Sequence, residues 1–241
     1  MKLKNDESKS IKKQLLYEMK NGIYANQKRL PRETILAESM HVSRTQLRDA
    51  LSALESEGFI TRLQGIGTII NHHVLQVKNR MDIETEFLDI IRQNGYEPSV
   101  SFIDVSEGWA DEKTAEKLHI RKETEIIRIR LLCSADGKPA IYTEDVLEKR
   151  LVKRDYHSEE FHVNVFQFLS EFCDLEPYMD LTELHPALPD ERLADILKVP
   201  AGKPLLNMEE VDYDFEGNPL FYSNQYFVDE FFKHTVLRKK F

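Results

Sequence analysis

The sequence predicts an α+β chain of two domains, a small helical domain closed by a β-hairpin and then an antiparallel sheet carrying helices. Three observations carry that reading. Residues 1–75 hold 12 Lys+Arg against 8 Asp+Glu, whereas the remainder holds 21 against 34. A basic segment suited to an anionic partner therefore precedes an acidic one. The basic part contains a capped helix followed by a glycine-tipped hairpin. In the acidic part, two stretches repeat each other.

The bulk composition sets the outer bounds. With 41% hydrophobic and 31% charged residues in 241, the chain has the balance of an ordinary globular protein. No apolar run approaches the roughly 18–20 residues that cross a bilayer. The opening Met1-Lys2-Leu3-Lys4-Asn5-Asp6-Glu7 lacks the apolar core of a secretory signal. Cys133 and Cys173 have no metal-type spacing. His72 and His73 are adjacent, so in an extended segment they point to opposite faces. These features lead us to expect a cytoplasmic protein with reduced thiols, no cofactor, no metal and no membrane partner.

Residues 8–21 read as a first helix, with Ile11, Leu15 and Met19 four apart, Ser8 or Ser10 at its start and Gly22 beyond its end. A second helix opens at Leu30-Pro31, because proline suits a first helical turn, and the turn His41-Val42 follows it. Ser43-Arg44-Thr45-Gln46 fits a capping box that starts a third helix. Leu47, Ala50, Leu51 and Leu54 make the buried stripe of that helix, and Gly58 ends it. Arg44, Thr45 and Arg48 fall away from the stripe near the N-terminal end, where a recognition helix makes base and phosphate contacts. Residues 59–63 and 67–70 read as two strands turning at Gln64-Gly65-Ile66-Gly67. Three helices and such a hairpin describe a winged helix-turn-helix, for which double-stranded DNA is the expected partner. No aromatic platform favours RNA.

Leu30-Pro31-Arg32-Glu33, Leu36-Ala37, Val42-Ser43-Arg44, Leu47-Arg48-Asp49-Ala50-Leu51, Glu57-Gly58 and Gln64-Gly65-Ile66-Gly67-Thr68 together resemble the DNA-binding domain of GntR-family regulators. The resemblance implies DNA contacts from Ser43, Arg44, Thr45, Arg48 and Gly65 to Gly67, and Arg32, Glu33 and Gln64 beside them are further candidates for DNA contact. The family usually has serine at Arg32, arginine at Thr34 and a basic residue at Ile66, so the operator of this chain is expected to differ. Arg32 is expected to supply the phosphate contact that Thr34 does not.

Residues 71–82 lack periodicity and read as a connector, followed by a helix from Ile83 to Gly95. Then come a helix over Ala110–Ile120, a strand over Ile126–Cys133, the turn Asp136-Gly137-Lys138-Pro139 and a strand through Tyr142-Thr143. The same order recurs at Asp190–Val199, Leu205–Tyr213, Glu216-Gly217-Asn218-Pro219 and Tyr222-Ser223, with Gly137, Pro139 and Tyr142 each repeated after 80 residues. Two copies are too few for a solenoid. One antiparallel sheet with helices on one face is the economical packing. A helix over Val165–Phe172, capped by Asn164, separates the copies. The acidic run 208–214 reads as a solvated edge and Arg238-Lys239-Lys240 as a frayed terminus. The expected domains are 1–72, a linker and connecting helix at 73–94, and 95–241.

Ala135-Asp136-Gly137-Lys138-Pro139, Leu193-Ala194, Gly202-Lys203-Pro204-Leu205 and Gly217-Asn218-Pro219 with Tyr222-Ser223, Tyr226 and Asp229 resemble the UTRA domain of the HutC-like branch of the same family. That resemblance implies a chorismate-lyase-like fold, a small-molecule effector, a homodimer and hence a palindromic operator. Repression relieved by ligand is the behaviour it implies. The candidate effector residues are Arg128, Arg130, Cys133, Tyr142, Glu144, Tyr222, Ser223 and Tyr226. Positions that bind sugar phosphates in related proteins fall on Leu131, Cys133, Thr143 and Phe221 here, so an effector other than a sugar phosphate is expected. The plainer alternatives are tyrosines that only pack and arginines that only pair with nearby carboxylates. Two other functions compete: an enzyme on the implied fold, for which no nucleophile beside a base is evident, and a second domain that only dimerises.

Overall fold

The computed structural model describes residues 2–156 and 164–240. It divides into two compact units, one of Met1–Glu84 with His234–Phe241 and one of Thr85–Lys233. The expected linker residues 73–84 thus pack with the first unit, and so does the tail.

In the first unit, α1 (Lys2–Lys20), α2 (Glu33–Ser39) and α3 (Arg44–Ser56) precede the hairpin β1 (Ile60–Leu63) and β2 (Gly67–Ile70). Helix α1 begins well before Ser8, so neither Ser8 nor Ser10 marks its start. Helix α2 opens at Glu33 rather than at the proline, with Arg32 as its N-cap. Ile11, Leu15 and Met19 of α1 meet Leu47, Ala50, Leu51 and Leu54 of α3 in one core, where each fully buried leucine contributes about 1.5–3 kcal/mol. The segment before α2 bridges onto the wing at Arg29↔Ile69, a contact the sequence did not announce. Leu30 N–H donates to Thr68 O at 2.9 Å, and Ile70 N–H to Lys28 O at 3.0 Å. A short helix, α4 (His72–Leu75), buries Val74 and Leu75 in the same core, which is why 71–75 is structured rather than a free connector.

The C-terminal tail is docked, not frayed. Thr235 brackets the 79–81 segment, donating to Asn79 O at 3.1 Å and accepting from Met81 N–H at 2.9 Å. Leu237 packs against the core, and Lys239 Nζ donates to the α3 carbonyls of Glu55 and Ser56 at 2.5 and 2.8 Å. The backbone at Gly58 favours glycine, and Leu237 packs close over it. Its φ is +79°, and a Cβ would stand 2.4 Å from Leu237 Cδ2.

The second unit is a six-stranded antiparallel sheet in the order β3-β4-β5-β8-β7-β6. The strands are β3 (Pro98–Trp109), β4 (Glu125–Ala135), β5 (Lys138–Glu148), β6 (Met179–Ala187), β7 (Leu205–Tyr213) and β8 (Pro219–Val228). The repeat is visible in the register. Glu144 pairs with Asn224, its own counterpart 80 residues on, flanked by Tyr142↔Tyr226 and Val146↔Tyr222. A local twofold therefore passes between the central strands. Helices cover both faces, not one. On the first face lie α6 (Glu112–Lys117), in a cluster with Ile126, Val146, Val211 and Tyr222, and α8 (Glu191–Leu197), beside β5. On the second, α7 (Val165–Phe168) and the π-turn Leu169–Cys173 bury Phe168 and Leu169 against Ile127, Ile129, Leu131 and Phe221. Asn164 forms the expected cap of α7, with a full capping box. The remaining helix, α5 (Phe87–Gln93), buries Ile90 and Ile91, and its Phe87 packs edge-on to Phe227 with centroids 5.9 Å apart. The acidic run is not an edge, because β7 lies between β8 and β6. Asp212 is buried and Glu209 receives two lysines.

Candidate DNA-binding and effector sites

The first turn of α3 is built by its cap. Ser43 Oγ accepts from Gln46 N–H at 3.2 Å while Gln46 Oε1 accepts from Ser43 N–H at 3.0 Å, so the Ser43 hydroxyl is committed to holding the helix start. Arg44 and Thr45 follow it, both exposed. Their position adds side-chain donors to the free N–H groups and positive dipole end of a helix, an arrangement that favours phosphate. One turn on, Arg48 Nε donates to Glu33 Oε2 at 2.8 Å. Glu33 thus fixes an arginine of α3 from α2, and its carboxylate is turned to protein. Arg32 is exposed at the start of α2. At the wing tip Gln64, Gly65, Ile66 and Gly67 are exposed, and φ is +77° at Gly65 and +104° at Gly67. Arg29, not singled out from the sequence, donates from Nη1 to Ile66 O at 3.1 Å. That bond sets a guanidinium beside the tip.

The candidate effector residues do not form one cluster. Cross-strand pairs share a face, and the register puts Arg128, Arg130, Tyr142, Glu144, Tyr222 and Tyr226 on the α6/α8 face but Cys133 and Ser223 on the other. Cys133 is buried, and burial pushes its thiol up to about 12. This leaves a small apolar group with no reactive thiolate. Ser223 Oγ donates at 2.6 Å to Asp145 and receives Gln225 Nε2 at 3.2 Å. Burial, opposed by the Ser223 hydrogen bond, raises Asp145 to about 7. Leu131, Thr143 and Phe221 lie on this same face and are fully packed.

On the α6/α8 face, Arg130 is held by Glu144 at 2.5 Å and by Asp104 at 2.8 Å, and Arg128 lies 3.9 Å from Glu144. The arginines therefore pair with carboxylates, as the plainer alternative had it. Tyr222 packs under α6. Tyr142, Glu144 and Tyr226 instead line a cleft of about 260 Å³ beneath α8. Its wall also contains Arg192, Asn224, Leu188 and Ile196, none of them singled out from the sequence. Among the described residues, one group has atoms placed to hold a metal ion, Glu183, His185 and Glu209. Lys113 lies 2.5 Å from Glu209, and Lys117 lies 3.1 Å from Glu183 and 3.7 Å from Glu209, so ammonium groups already compensate these carboxylates.

The gntR family of bacterial regulatory proteins matches residues 7–70, and the UTRA domain matches residues 93–233. The histidine utilization repressor of Pseudomonas putida is 25% identical over 199 residues, 81% of this chain and 77% of that protein. The HTH-type transcriptional repressor NagR of Bacillus subtilis (strain 168) is 25% identical over 203 residues, covering 84% and 82%. In structure, YydK from Bacillus subtilis subsp. subtilis str. 168 superposes with a TM-score of 0.77 at 20% identity, over 97% of this chain and 99% of that one. No helix among the described residues is long and apolar enough to cross a membrane. With a winged helix-turn-helix in front and a UTRA sheet behind it, the chain belongs to the GntR family of bacterial regulatory proteins and is a DNA-binding transcriptional repressor whose operator binding responds to a small-molecule effector.

Proposed function

We propose that the chain acts in the cytoplasm as a homodimer on a palindromic operator, without catalysing a reaction. Arg44, Thr45 and Arg48 make base and phosphate contacts from the start of α3, with Glu33 fixing Arg48. Arg32, the Ser43 turn and the Gln64–Gly67 tip meet the phosphates, and Arg29 joins them. The observation that carries this reading is the capped start of α3 with exposed Arg44 and Thr45 on its first turn. The edge strand β6 supports the dimer. It is exposed along its length up to Ala187 and presents Met179, Leu181 and Leu184, a surface that a second copy would cover. We place the effector in the cleft beneath α8, where Tyr142, Glu144 and Tyr226 offer two aromatic rings and three polar tips, on the face opposite the positions at Leu131, Cys133, Thr143 and Phe221 that bind sugar phosphates in related proteins.

The test is fluorescence anisotropy with duplex DNA from upstream of the chain's own gene, across a salt series. Arg44→Ala should weaken binding by about tenfold or more, equivalent to roughly 1–3 kcal/mol for a lost bidentate contact, and should relax sequence preference. Equal affinity for random duplex, unchanged by the substitution, would remove α3 as the reader.

A further inference from the structure

The local twofold gives the α6/α8 face two equivalent places, and they have diverged. Helices α6 and α8 begin alike, with Asp111-Glu112-Lys113 and Asp190-Glu191-Arg192. Each N-cap aspartate accepts from the N–H three residues on, Thr114 and Leu193, at 2.8 and 2.7 Å. Lys113 and Arg192 are therefore counterparts, two residues after the cap. Each reaches the repeat-related tyrosine of the other half. Lys113 Nζ lies 5.7 Å from the Tyr222 ring centroid, and Arg192 Nη2 lies 3.3 Å from Tyr142 Oη.

Beyond the tyrosines the two places differ. Glu209 pairs with Asn224 across the sheet, and Arg130 pairs with Glu144. Arg130 thus stands where the twofold would put a second Glu209. Under α6 the acid closes the place, because Lys113 binds Glu209 at 2.5 Å and Val146 fills the space behind. Under α8 no acid answers Arg192. Among the described residues no carboxylate lies within 4.0 Å of its guanidinium. Glu144 is taken by Arg130, and Asp190 is turned to its own helix. Tyr226 replaces Val146, and the space is open.

We infer that the cleft beneath α8 binds a compact organic acid, its carboxylate on Arg192 and the Tyr142 hydroxyl and its apolar body against Leu188, Ile196 and the Tyr226 ring. This rests on the reading of that cleft as a ligand site. A single guanidinium suits a monoanion, because planar N–H donors match a carboxylate. A phosphate dianion would meet Glu144 at the same wall without a second cation free to answer it. Burial, with Glu144 adding to it, raises the Tyr142 hydroxyl above the ordinary phenol range, so Tyr142 approaches the ligand as a donor.

The experiment is calorimetric titration of the full chain, without DNA, with benzoate, its neutral isostere benzamide, and inorganic phosphate at constant ionic strength. Benzoate should bind saturably, with benzamide and phosphate each weaker by about tenfold or more. Arg192→Gln, at an exposed position, should keep the melting temperature of the free protein and lose benzoate affinity by a similar factor. Lys113→Gln, on the closed side, should leave benzoate binding unchanged. Benzoate bound equally by wild type and Arg192→Gln, or no benzoate binding up to about 10 mM, overturns the proposal. Benzamide bound in preference, with affinity reduced by Tyr226→Ala, overturns the acid but keeps the cleft. No binding by any of the three overturns the acid and removes the support for the cleft, while the DNA reading stands or falls on its own assay.

Discussion

At the scale of single residues, the side chains that carry chemistry in this protein are set by their partners more than by their type. Arg128 and Arg130 carry positive charge into the sheet, yet their carboxylate partners consume it. Arg192, inconspicuous in a run of ordinary helix residues, is the cation that keeps its charge for the cleft. The sequence contained the sign of this in the likeness of Asp111-Glu112-Lys113 to Asp190-Glu191-Arg192, but only the register shows which strand each helix lies on. Asp145 teaches the same lesson in reverse. Its carboxyl is buried, raised by burial to about 7 and bonded to Ser223, with Glu210 and Glu144 adding like charge. The folded chain therefore prefers the proton more than the unfolded chain does. Below about pH 4 both states carry it and burial imposes no penalty. Between that value and about 7 the unfolded state loses it first, so stability falls with rising pH and levels off above 7. Asp145→Asn keeps a hydrogen-bonding partner for Ser223 without the charge. Urea unfolding should show it more stable than wild type by about 1–3 kcal/mol at pH 8, with no gain near pH 4. An equal gain at both pH values would mean that packing, not protonation, distinguishes the two.

At the scale of elements, the parts that were legible were those with a local signature. The capping box at Ser43, the cap at Asn164, the α1 and α3 stripes, the wing turn and the two glycine hairpins all stand where the spacing placed them. Strands β3 and β6 were not legible, and the reason is physical. Both lie at sheet edges, where neither the nearly uniform exposure of β6 nor the irregular pattern of β3, with its bulge between Phe102 and Asp104, leaves the alternation that identifies a half-buried strand. The tail was misread for a related cause. Its contacts are to residues far away in the chain, so composition near the terminus says nothing of them. Leu237 closes the core behind Gly58, and Lys239 answers the last carbonyls of α3, where a helix carries partial negative charge. Leu237→Ala should destabilise the first unit by about 1–2 kcal/mol, the lower range for a partly buried leucine. Hydrogen exchange should read this as faster exchange of α3 amides, with those of β5 and β8 unaffected. Unchanged α3 protection would show that the tail rests on the unit without supporting it.

At the scale of the whole molecule, a repressor needs two reading heads held together, because one head offers only part of the affinity. A winged helix makes a handful of base contacts. Linking two copies converts the second half-site encounter into an intramolecular event, and affinity rises by about 10²–10⁴ without any new contact. In the proposed homodimer β6 makes that link, exposed on both faces and, among the described residues, unpaired along its outer edge within the sheet. An unpaired edge bearing Met179, Leu181 and Leu184 invites pairing with another chain, and the usual device that prevents such pairing is a lysine on the edge. Leu181→Lys supplies that device at a side chain 66% exposed in the single chain, so the fold of each copy loses no buried contact. Sedimentation should show wild type as the proposed dimer and the variant as monomer. Affinity for the full operator should fall by about a hundredfold, while affinity for an isolated half-site stays at the wild-type value, because α3 and the wing are untouched. A variant that remains dimeric with full operator affinity would place the interface elsewhere on the chain. One that becomes monomeric yet keeps operator affinity would show that a single head reads the site, and the palindrome would then have no structural counterpart.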